Sequence, residues 1–128
     1  MPLVRISLLR GKSPEYLRGL ADIVHAGLIA EANVPVEDQF QIIEELEAHQ
    51  IIANPTYAAC NRTAEGQIFI QIFLNAGRTV EVKRALYAFV ANRLQEQLGV
   101  KPDDVLISLV EVTKENWSFG KGLATYAQ

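Results

Sequence analysis

Pro2 is the residue with the most distinctive chemistry, because a proline directly after the initiator methionine becomes a secondary amine once Met1 is removed. An α-amino group titrates near pH ~8 in model peptides, and a prolyl amine somewhat higher. Burial in an apolar pocket would lower this pKa and make the amine a base, whereas a nearby carboxylate would hold it as a cation. Pro2 is therefore a candidate proton-transfer group; the alternative is that it merely opens an edge strand.

The other reactive side chains do not form a recognisable site. His25 and His49 are isolated in the sequence, and no Cys or His pair has the spacing of a metal site. Cys60 is the single cysteine, and nothing beside it in the sequence indicates an activated thiol. The glycine spacings of phosphate-binding loops are absent. We therefore predict no metal and no cofactor.

Composition and charge narrow the class of protein. The 128 residues are 49% hydrophobic and carry a net charge of −3, which argues against nucleic acid as a partner because phosphate binding needs a basic face. One cysteine permits no intrachain disulfide, which fits a reducing compartment. Neither a signal sequence nor an apolar run of about 18 residues is evident. We expect one domain over residues 1–128, cytoplasmic and without a membrane partner.

The elements that must position Pro2 come from an internal repeat with an offset of 66 residues. Gly11-Lys12-Ser13 aligns with Gly77-Arg78-Thr79, and the alignment continues without a gap over approximately residues 2–46 and 68–112. Further identities include Leu20 with Leu86, Val24 with Val90, Leu28 with Leu94, Val34 with Val100, Asp38 with Asp104 and Glu45 with Glu111.

Each repeat has the pattern strand, helix, strand. Ser13 and Thr79 are suitable helix N-caps, and Asn33 and Gly99 occupy equivalent positions where the helices should end. Apolar residues recur at helical spacing between these caps. The predicted strands are Leu3 to Leu9, Phe40 to Leu46, Ile68 to Leu74 and Val105 to Val112.

Two such units predict an α/β fold: a tandem β-α-β repeat with a four-stranded mixed sheet and two helices on one face, because a right-handed crossover makes the strands of each unit parallel. Between the units, Asn54-Pro55-Thr56 predicts a turn or a short hairpin. Phe69 and Phe73 would lie on the sheet face that no helix covers. Since an apolar face of this kind calls for a partner, we expect a homo-oligomer.

Several segments resemble the tautomerase superfamily. Pro2-Leu3-Val4-Arg5-Ile6 and Leu9-Arg10-Gly11-Lys12 resemble the start of its members. Over nearly its full length the chain resembles the duplicated subgroup related to malonate semialdehyde decarboxylase. The matching segments there are Val34 to Ile42, Ala76-Gly77-Arg78-Thr79 and, most specifically, Asn116-Trp117-Ser118-Phe119-Gly120. The resemblance implies a cofactor-independent enzyme of β-α-β units that assembles as a homotrimer.

The resemblance also implies roles for individual residues. Pro2 matches the catalytic amine, and Asp38 matches an aspartate that holds a proton or activates water beside it. Arg78 matches an arginine that binds the substrate carboxylate, a role that suits a strand-to-helix junction because a helix N-terminus lies nearby. The alternatives are a turn residue for Asp38 and a solvated first-turn residue for Arg78.

The resemblance also implies substrate-binding roles for five further residues. Trp117, Phe119 and Tyr126 match an aromatic wall that would exclude water, with core packing as the alternative. Lys12 lies where shorter relatives carry a carboxylate-binding arginine, although in a duplicated chain it can be a vestigial copy. Asn75 stands where the decarboxylase has the first of two arginines, which weakens the expectation of decarboxylation.

Three functions remain open at this level. The first is keto-enol proton transfer on a small 2-keto acid, with Pro2, Asp38 and Arg78 as the catalytic set. The second is decarboxylation or hydration of a three-carbon semialdehyde, in which a cationic Pro2 acts as the acid. The third is a trimeric binding module in which Pro2 is vestigial, because fold alone does not determine function.

Overall fold

A four-stranded sheet with two helices on one face forms the body of the molecule. In the computed structural model, which describes residues 2–127, the strands lie in the order β2-β1-β3-β4. They are β1 (Leu3–Leu9), β2 (Gln41–Leu46), β3 (Ile68–Asn75) and β4 (Val105–Val112), and the helices are α1 (Pro14–Ala32) and α2 (Val80–Leu98). Pairing is parallel within each repeat and antiparallel between β1 and β3. The predicted tandem β-α-β fold is confirmed.

The helix ends lie at the predicted caps. The side-chain oxygens of Ser13 and Thr79 each accept a hydrogen bond from the backbone N–H three residues later, at 3.1 and 3.2 Å. Asn33 and Gly99 adopt the left-handed conformation, with φ of 57° and 68°, which closes the last turn of each helix. Met1, whose removal the Pro2 hypothesis requires, lies outside the described residues.

The core lies between the helices and one face of the sheet. The apolar identities of the repeat alignment are buried in both halves, so the two units contribute equivalent residues to one core. The fully buried members include Leu20 and Leu86, Val24 and Val90, Leu28 and Leu94, together with Ile6, Ile70 and Ile72. The packed core is what holds the strand ends in fixed relative positions.

The connection between the repeats contains two short 3₁₀ turns, Ala48–Gln50 and Tyr57–Ala59, and no strand pairing occurs among its described residues. Asn54 Oδ1 accepts hydrogen bonds from the backbone N–H groups of Thr56 and Tyr57 at 2.9 and 2.8 Å. Arg62 Nη1 donates to the carbonyl oxygens of Asn54 and Tyr57. Side chains thus satisfy backbone groups that a hairpin would pair across strands, which is why the hairpin alternative was wrong here.

The second face of the sheet is uncovered. Ile42 is 44% exposed, Leu106 42% and Val110 36%, and Phe69 and Phe73 are half-buried. These residues form an apolar surface that the chain's own helices do not reach.

No helix among residues 2–127 is long and apolar enough to cross a membrane.

The close packing of α1 on α2 at Gly27 leads to a prediction about stability. A Cβ atom on Gly27 would lie 3.0 Å from Phe89 Cδ1 and 3.1 Å from Val90 Cγ2. We expect Gly27→Ala to lower the free energy of unfolding by roughly 1–3 kcal/mol, because α2 must move to admit the methyl group. Urea unfolding measures the change.

Gly19 in the same helix is the matched control. A Cβ there meets Leu98 side-chain carbons at 3.5 and 3.8 Å, which is ordinary contact. Gly19→Ala should therefore raise the free energy of unfolding by up to about 1 kcal/mol through helix propensity. Equal effects of the two substitutions would contradict the packing of α1 on α2 described here.

Candidate active site

One end of the sheet collects candidate residues from both repeats. Because β1 runs antiparallel to β3 and each is parallel to its own partner, the starts of β1 and β2 lie beside the ends of β3 and β4. Pro2 precedes β1, Asp38 precedes β2, Asn75 ends β3, Arg78 follows β3, and Trp117 follows β4. The topology alone therefore brings residues that are far apart in sequence to the same end.

Pro2 is buried and lines an apolar cavity of ≈ 220 Å³. The backbone N–H of Val4 donates to the carbonyl oxygen of Phe40 at 3.0 Å, which fixes the start of β1 against the segment that enters β2. The other lining residues are Leu3, Phe40, Trp117, Ser118 and Phe119. An amine in such surroundings loses hydration of its charged form, which favours the neutral base.

The aromatic residues of this cavity form a stacked cluster. Phe119 stacks on Trp117 at a ring-centroid distance of 5.5 Å and on Phe40 at 6.3 Å. Tyr126 meets Phe119 edge-on at 5.3 Å. Both arrangements are favourable for aromatic rings. The structure therefore brings together the three predicted wall residues, and it adds Phe40 to them.

Asp38 lies half-buried in the connection between α1 and β2. Its backbone N–H donates to the carbonyl oxygen of Pro35 at 3.0 Å. Burial raises the pKa of the Asp38 carboxyl, and the charge of Glu37 raises it further, while the charge of His25 acts against them. Burial, and then the charge of Asp38, likewise raises the pKa of the Tyr126 hydroxyl, so Asp38 is electrostatically coupled to the aromatic cluster.

His25 stabilises the connection that carries Asp38. The ring is buried, and its Nε2 lies 2.7 Å from the carbonyl oxygen of Val36, a distance at which an Nε2–H donates a hydrogen bond. This contact orders the loop two residues before Asp38.

The raised pKa of Asp38 predicts a pH-dependent effect of Asp38→Asn on stability. The folded state holds the proton to a higher pH than the unfolded chain does, so this carboxyl lowers the free energy of unfolding as pH rises above the ordinary value of 3.8. Asparagine cannot ionise, and the stability of the variant relative to wild type should therefore increase from pH 4 to pH 7. Urea unfolding at a series of pH values measures this.

The exposed Asp22 supplies the control for removal of one negative charge. Asp22→Asn should show a smaller change of relative stability between the same pH values. If Asp38→Asn instead lost stability relative to wild type as pH rose, the account of a carboxyl desolvated in the folded state would be contradicted.

Arg78 is held rigidly between the two repeats. Its Nε and Nη2 donate to the carbonyl oxygen of Ala32 at 3.1 and 2.9 Å, and its Nη1 donates to the carbonyl oxygen of Asn75 at 3.0 Å. The guanidinium therefore places a positive charge at the C-terminal end of α1, where the helix dipole favours it. A guanidinium has five N–H donors, so one donor on each terminal nitrogen remains for another acceptor. Sequence reasoning missed this anchoring of Arg78.

Asn75 joins the wall to the sheet. Its Oδ1 accepts a hydrogen bond from Trp117 Nε1 at 2.7 Å. The residue pairs with Val112 of β4, which places its side chain at the end of two hydrogen-bonded strands. Asn75 thus lies at the same end of the sheet as Pro2, and its side-chain oxygen accepts a hydrogen bond from within the protein.

Lys12 lies apart from the candidate residues at the Pro2 end of the sheet. It follows β1, whose seven residues span about 23 Å, whereas Pro2 precedes that strand. Its ammonium lies 5.1 Å from the ring centroid of Tyr16, beside a separate cavity of ≈ 370 Å³ that Leu98 and Asp104 also line. Within one protomer the repeat therefore places Lys12 at the opposite end of the sheet from Pro2, and a role of Lys12 in substrate binding stays a prediction.

Phe40 is the clearest residue that sequence reasoning missed. It was assigned to the start of the second strand, whereas β2 begins one residue later, at Gln41. Freed from the strand, Phe40 is 49% exposed and stacks on Phe119. Its position two residues after Asp38 was the available signal.

Family models and related proteins identify the family of this chain. Two models, both described as "Tautomerase enzyme", match residues 38–120 and residues 2–59. The probable tautomerase YusQ of Bacillus subtilis (strain 168) is 41% identical over 97% of this chain and 97% of its own. These matches together include every element of the sheet.

Solved structures show the same fold. The structure of FG41 malonate semialdehyde decarboxylase inhibited by 3-bromopropiolate has a TM-score of 0.89 and 35% identity, covering 97% of this chain and 93% of that one. A symmetric trimer of fused 4-OT has a TM-score of 0.79 and 23% identity, covering 98% of both chains.

Proposed function

The chain belongs to the tautomerase superfamily, an enzyme family, and from this premise we propose that it catalyses keto-enol proton transfer on a small 2-keto acid with the amine of Pro2. The observation that carries the proposal is the burial of Pro2 in an aromatic cavity at the end of the sheet that also holds Arg78. A buried amine and a fixed cation are the two groups that proton transfer on a carboxylate substrate requires. Removal of Met1 is part of the proposal.

Arg78 binds the substrate carboxylate. Its free terminal N–H groups present a bidentate donor pair, and its bonds to Ala32 and Asn75 hold that pair in place before the substrate arrives. Little side-chain entropy is then lost on binding. The cluster of Trp117, Phe119 and Phe40 excludes water from the side of the substrate that faces Pro2.

Pro2 moves the proton. As a neutral amine it removes the hydroxyl proton of the enol, and the same nitrogen delivers a proton to the adjacent carbon. An O–H bond breaks and a C–H bond forms, so the substrate is neither oxidised nor reduced. Asp38 and the apolar wall tune the protonation state of the amine, and the raised pKa of the Asp38 carboxyl fits an acid that shares a proton near the site.

Assembly as a homotrimer is part of the same proposal. The uncovered sheet face carries Ile42, Leu106 and Val110 at the surface, and an apolar patch of this kind is normally buried against a partner. The fused 4-OT relative with the same fold is a symmetric trimer. A second copy of this chain is therefore the partner that the surface suits.

Decarboxylation or hydration of a three-carbon semialdehyde is the second candidate. It is favoured by the 35% identity and near-complete overlap with a malonate semialdehyde decarboxylase. In this reaction Pro2 works as a cation and Asp38 activates water. Asn75 weighs against decarboxylation, because a neutral amide next to Arg78 polarises a β-keto carboxylate less than a second guanidinium would.

The pH dependence of kcat/KM distinguishes the two reactions. With phenylpyruvate enol as substrate, a basic Pro2 predicts that kcat/KM rises with pH as the amine loses its proton, whereas a cationic Pro2 predicts that activity falls over the same range. Malonate semialdehyde is assayed in parallel. Activity on neither substrate would favour the binding module, in which Pro2 is vestigial.

A further inference from the structure

We propose that Asn75 is a positioning residue, which fixes the aromatic wall through Trp117 and the carboxylate-binding Arg78 through its own carbonyl group. For its effect on activity, this inference rests on the proposed function. The structural evidence is that Asn75 accepts two hydrogen bonds. Trp117 Nε1 donates to Asn75 Oδ1 at 2.7 Å, and Arg78 Nη1 donates to Asn75 O at 3.0 Å.

Asn75 is a rigid point of attachment. It is the last residue of β3 and pairs with Val112 of β4. The backbone N–H of the next residue, Ala76, donates to the carbonyl oxygen of Val112 at 2.9 Å, so the pairing continues past the strand end. The backbone at Asn75 and at the next residue is hydrogen-bonded to β4, so the Asn75 side chain has a fixed position relative to the sheet. The group that it binds is fixed in the same way.

The segment that Asn75 holds has little regular structure of its own. Residues 113–127 contain one short 3₁₀ turn and no strand. The backbone hydrogen bonds of Asn116, Trp117, Leu123 and Ala127 all go to residues within that segment, so they shape it without attaching it to the sheet. The indole hydrogen bond to Asn75 is a direct attachment.

Fixing the indole also fixes the rings that depend on it. Phe119 stacks on Trp117, and Tyr126 packs on Phe119. Both Trp117 and Phe119 line the cavity at Pro2. A shift of Trp117 would therefore move the wall that desolvates the amine, and a substitution of Asn75 would act on the amine through Trp117.

The acceptor atom is what makes asparagine suitable here. Arginine has five donors and no acceptor, so an arginine at position 75 could not receive the indole N–H. The residue that weakens the expectation of decarboxylation is thus the same residue that orders the wall. We infer that asparagine at this position fixes Trp117, and that the site then lacks the second positive charge that an arginine would supply.

A double-mutant cycle tests the coupling. Asn75→Leu removes the acceptor with little change of shape, and Trp117→Phe removes the donor but keeps a ring. We expect each to lower kcat/KM for phenylpyruvate enol by roughly 3- to 10-fold, as for the loss of one hydrogen bond. The double variant should be no worse than the poorer single one. Multiplicative losses would overturn the proposal.

Fluorescence gives a readout that does not depend on activity, because Trp117 is the single tryptophan. Asn75→Leu should shift the emission to longer wavelength as the indole gains contact with water. Asn75→Asp keeps an acceptor and should leave the emission maximum unchanged, although its charge beside Arg78 should raise KM. Unchanged emission in Asn75→Leu would overturn the anchor.

The two readouts separate this inference from the proposed function. If wild type is inactive on phenylpyruvate but the emission changes as expected, the anchor stands and the function fails. If wild type is active but the emission of Asn75→Leu equals that of wild type, the function stands and the anchor fails. Circular dichroism establishes whether each variant is folded. Asn75→Ala also removes the acceptor and keeps Trp117, so it gives the same emission readout if Asn75→Leu does not fold.

Discussion

Replacing Pro2 by alanine is expected to lower kcat/KM for phenylpyruvate enol by about 10²- to 10⁴-fold, the range that a positioned general base contributes. Alanine leaves a primary amine, which is more flexible and is not held by a ring against Leu3 and Phe40. The backbone of β1 starts at Leu3, so the sheet should form normally. Initial rates of enol consumption at saturating and subsaturating substrate measure the effect.

Pro55→Ala is the matched proline control. Pro55 lies in the exposed turn between the repeats, and its contact through the carbonyl oxygen to Arg62 N survives the substitution. Its kcat/KM should remain within about twofold of wild type, as for surface changes away from a site. If Pro2→Ala were as active as Pro55→Ala, Pro2 would not be the working base.

Arg78→Lys is expected to lower kcat/KM by roughly 10- to 100-fold, mostly through KM. Lysine keeps the charge but cannot offer two parallel donors to a carboxylate. It also cannot make all three bonds to the carbonyl oxygens of Ala32 and Asn75, so we expect a loss of roughly 1–3 kcal/mol in the free energy of unfolding. Steady-state kinetics and urea unfolding of one preparation measure both effects.

Arg18→Lys controls for the exchange of the two cations. Arg18 is exposed on α1, where it pairs with Asp22 at 3.0 Å, and a surface pair of this kind contributes little. A keto-enol substrate without a carboxylate gives a second control, since Arg78→Lys should barely affect its turnover. An equal loss on both substrates would assign Arg78 to folding rather than to substrate binding.

Local signals made most of the fold predictable from the sequence. Ser13, Thr79, Asn33 and Gly99 act within one helical turn of their own positions, so their type alone indicates where α1 and α2 begin and end. The strands followed from apolar periodicity, and all four lie within one residue of the predicted bounds at each end. The gap-free repeat then predicted that both units adopt the same strand-helix-strand arrangement.

The site was less predictable, because its contacts join residues that are distant in sequence. The hydrogen bond from Trp117 to Asn75 spans 42 positions and that from Arg78 to Ala32 spans 46. No periodicity encodes such pairs. Lys12 shows a different difficulty. It aligns with Arg78 in the repeat, but the duplication places the two aligned positions at opposite ends of the sheet.

The most direct test of the central claim is the phenylpyruvate activity of preparations that differ in the fraction of chains retaining Met1, with that fraction measured by intact mass. Digestion with methionine aminopeptidase supplies the series. If the free amine of Pro2 is the working group, activity per chain should rise in proportion to the fraction lacking Met1 and extrapolate to zero for the unprocessed chain. Full activity of the unprocessed chain would contradict the account, because an acylated proline nitrogen is neither a base nor an acid.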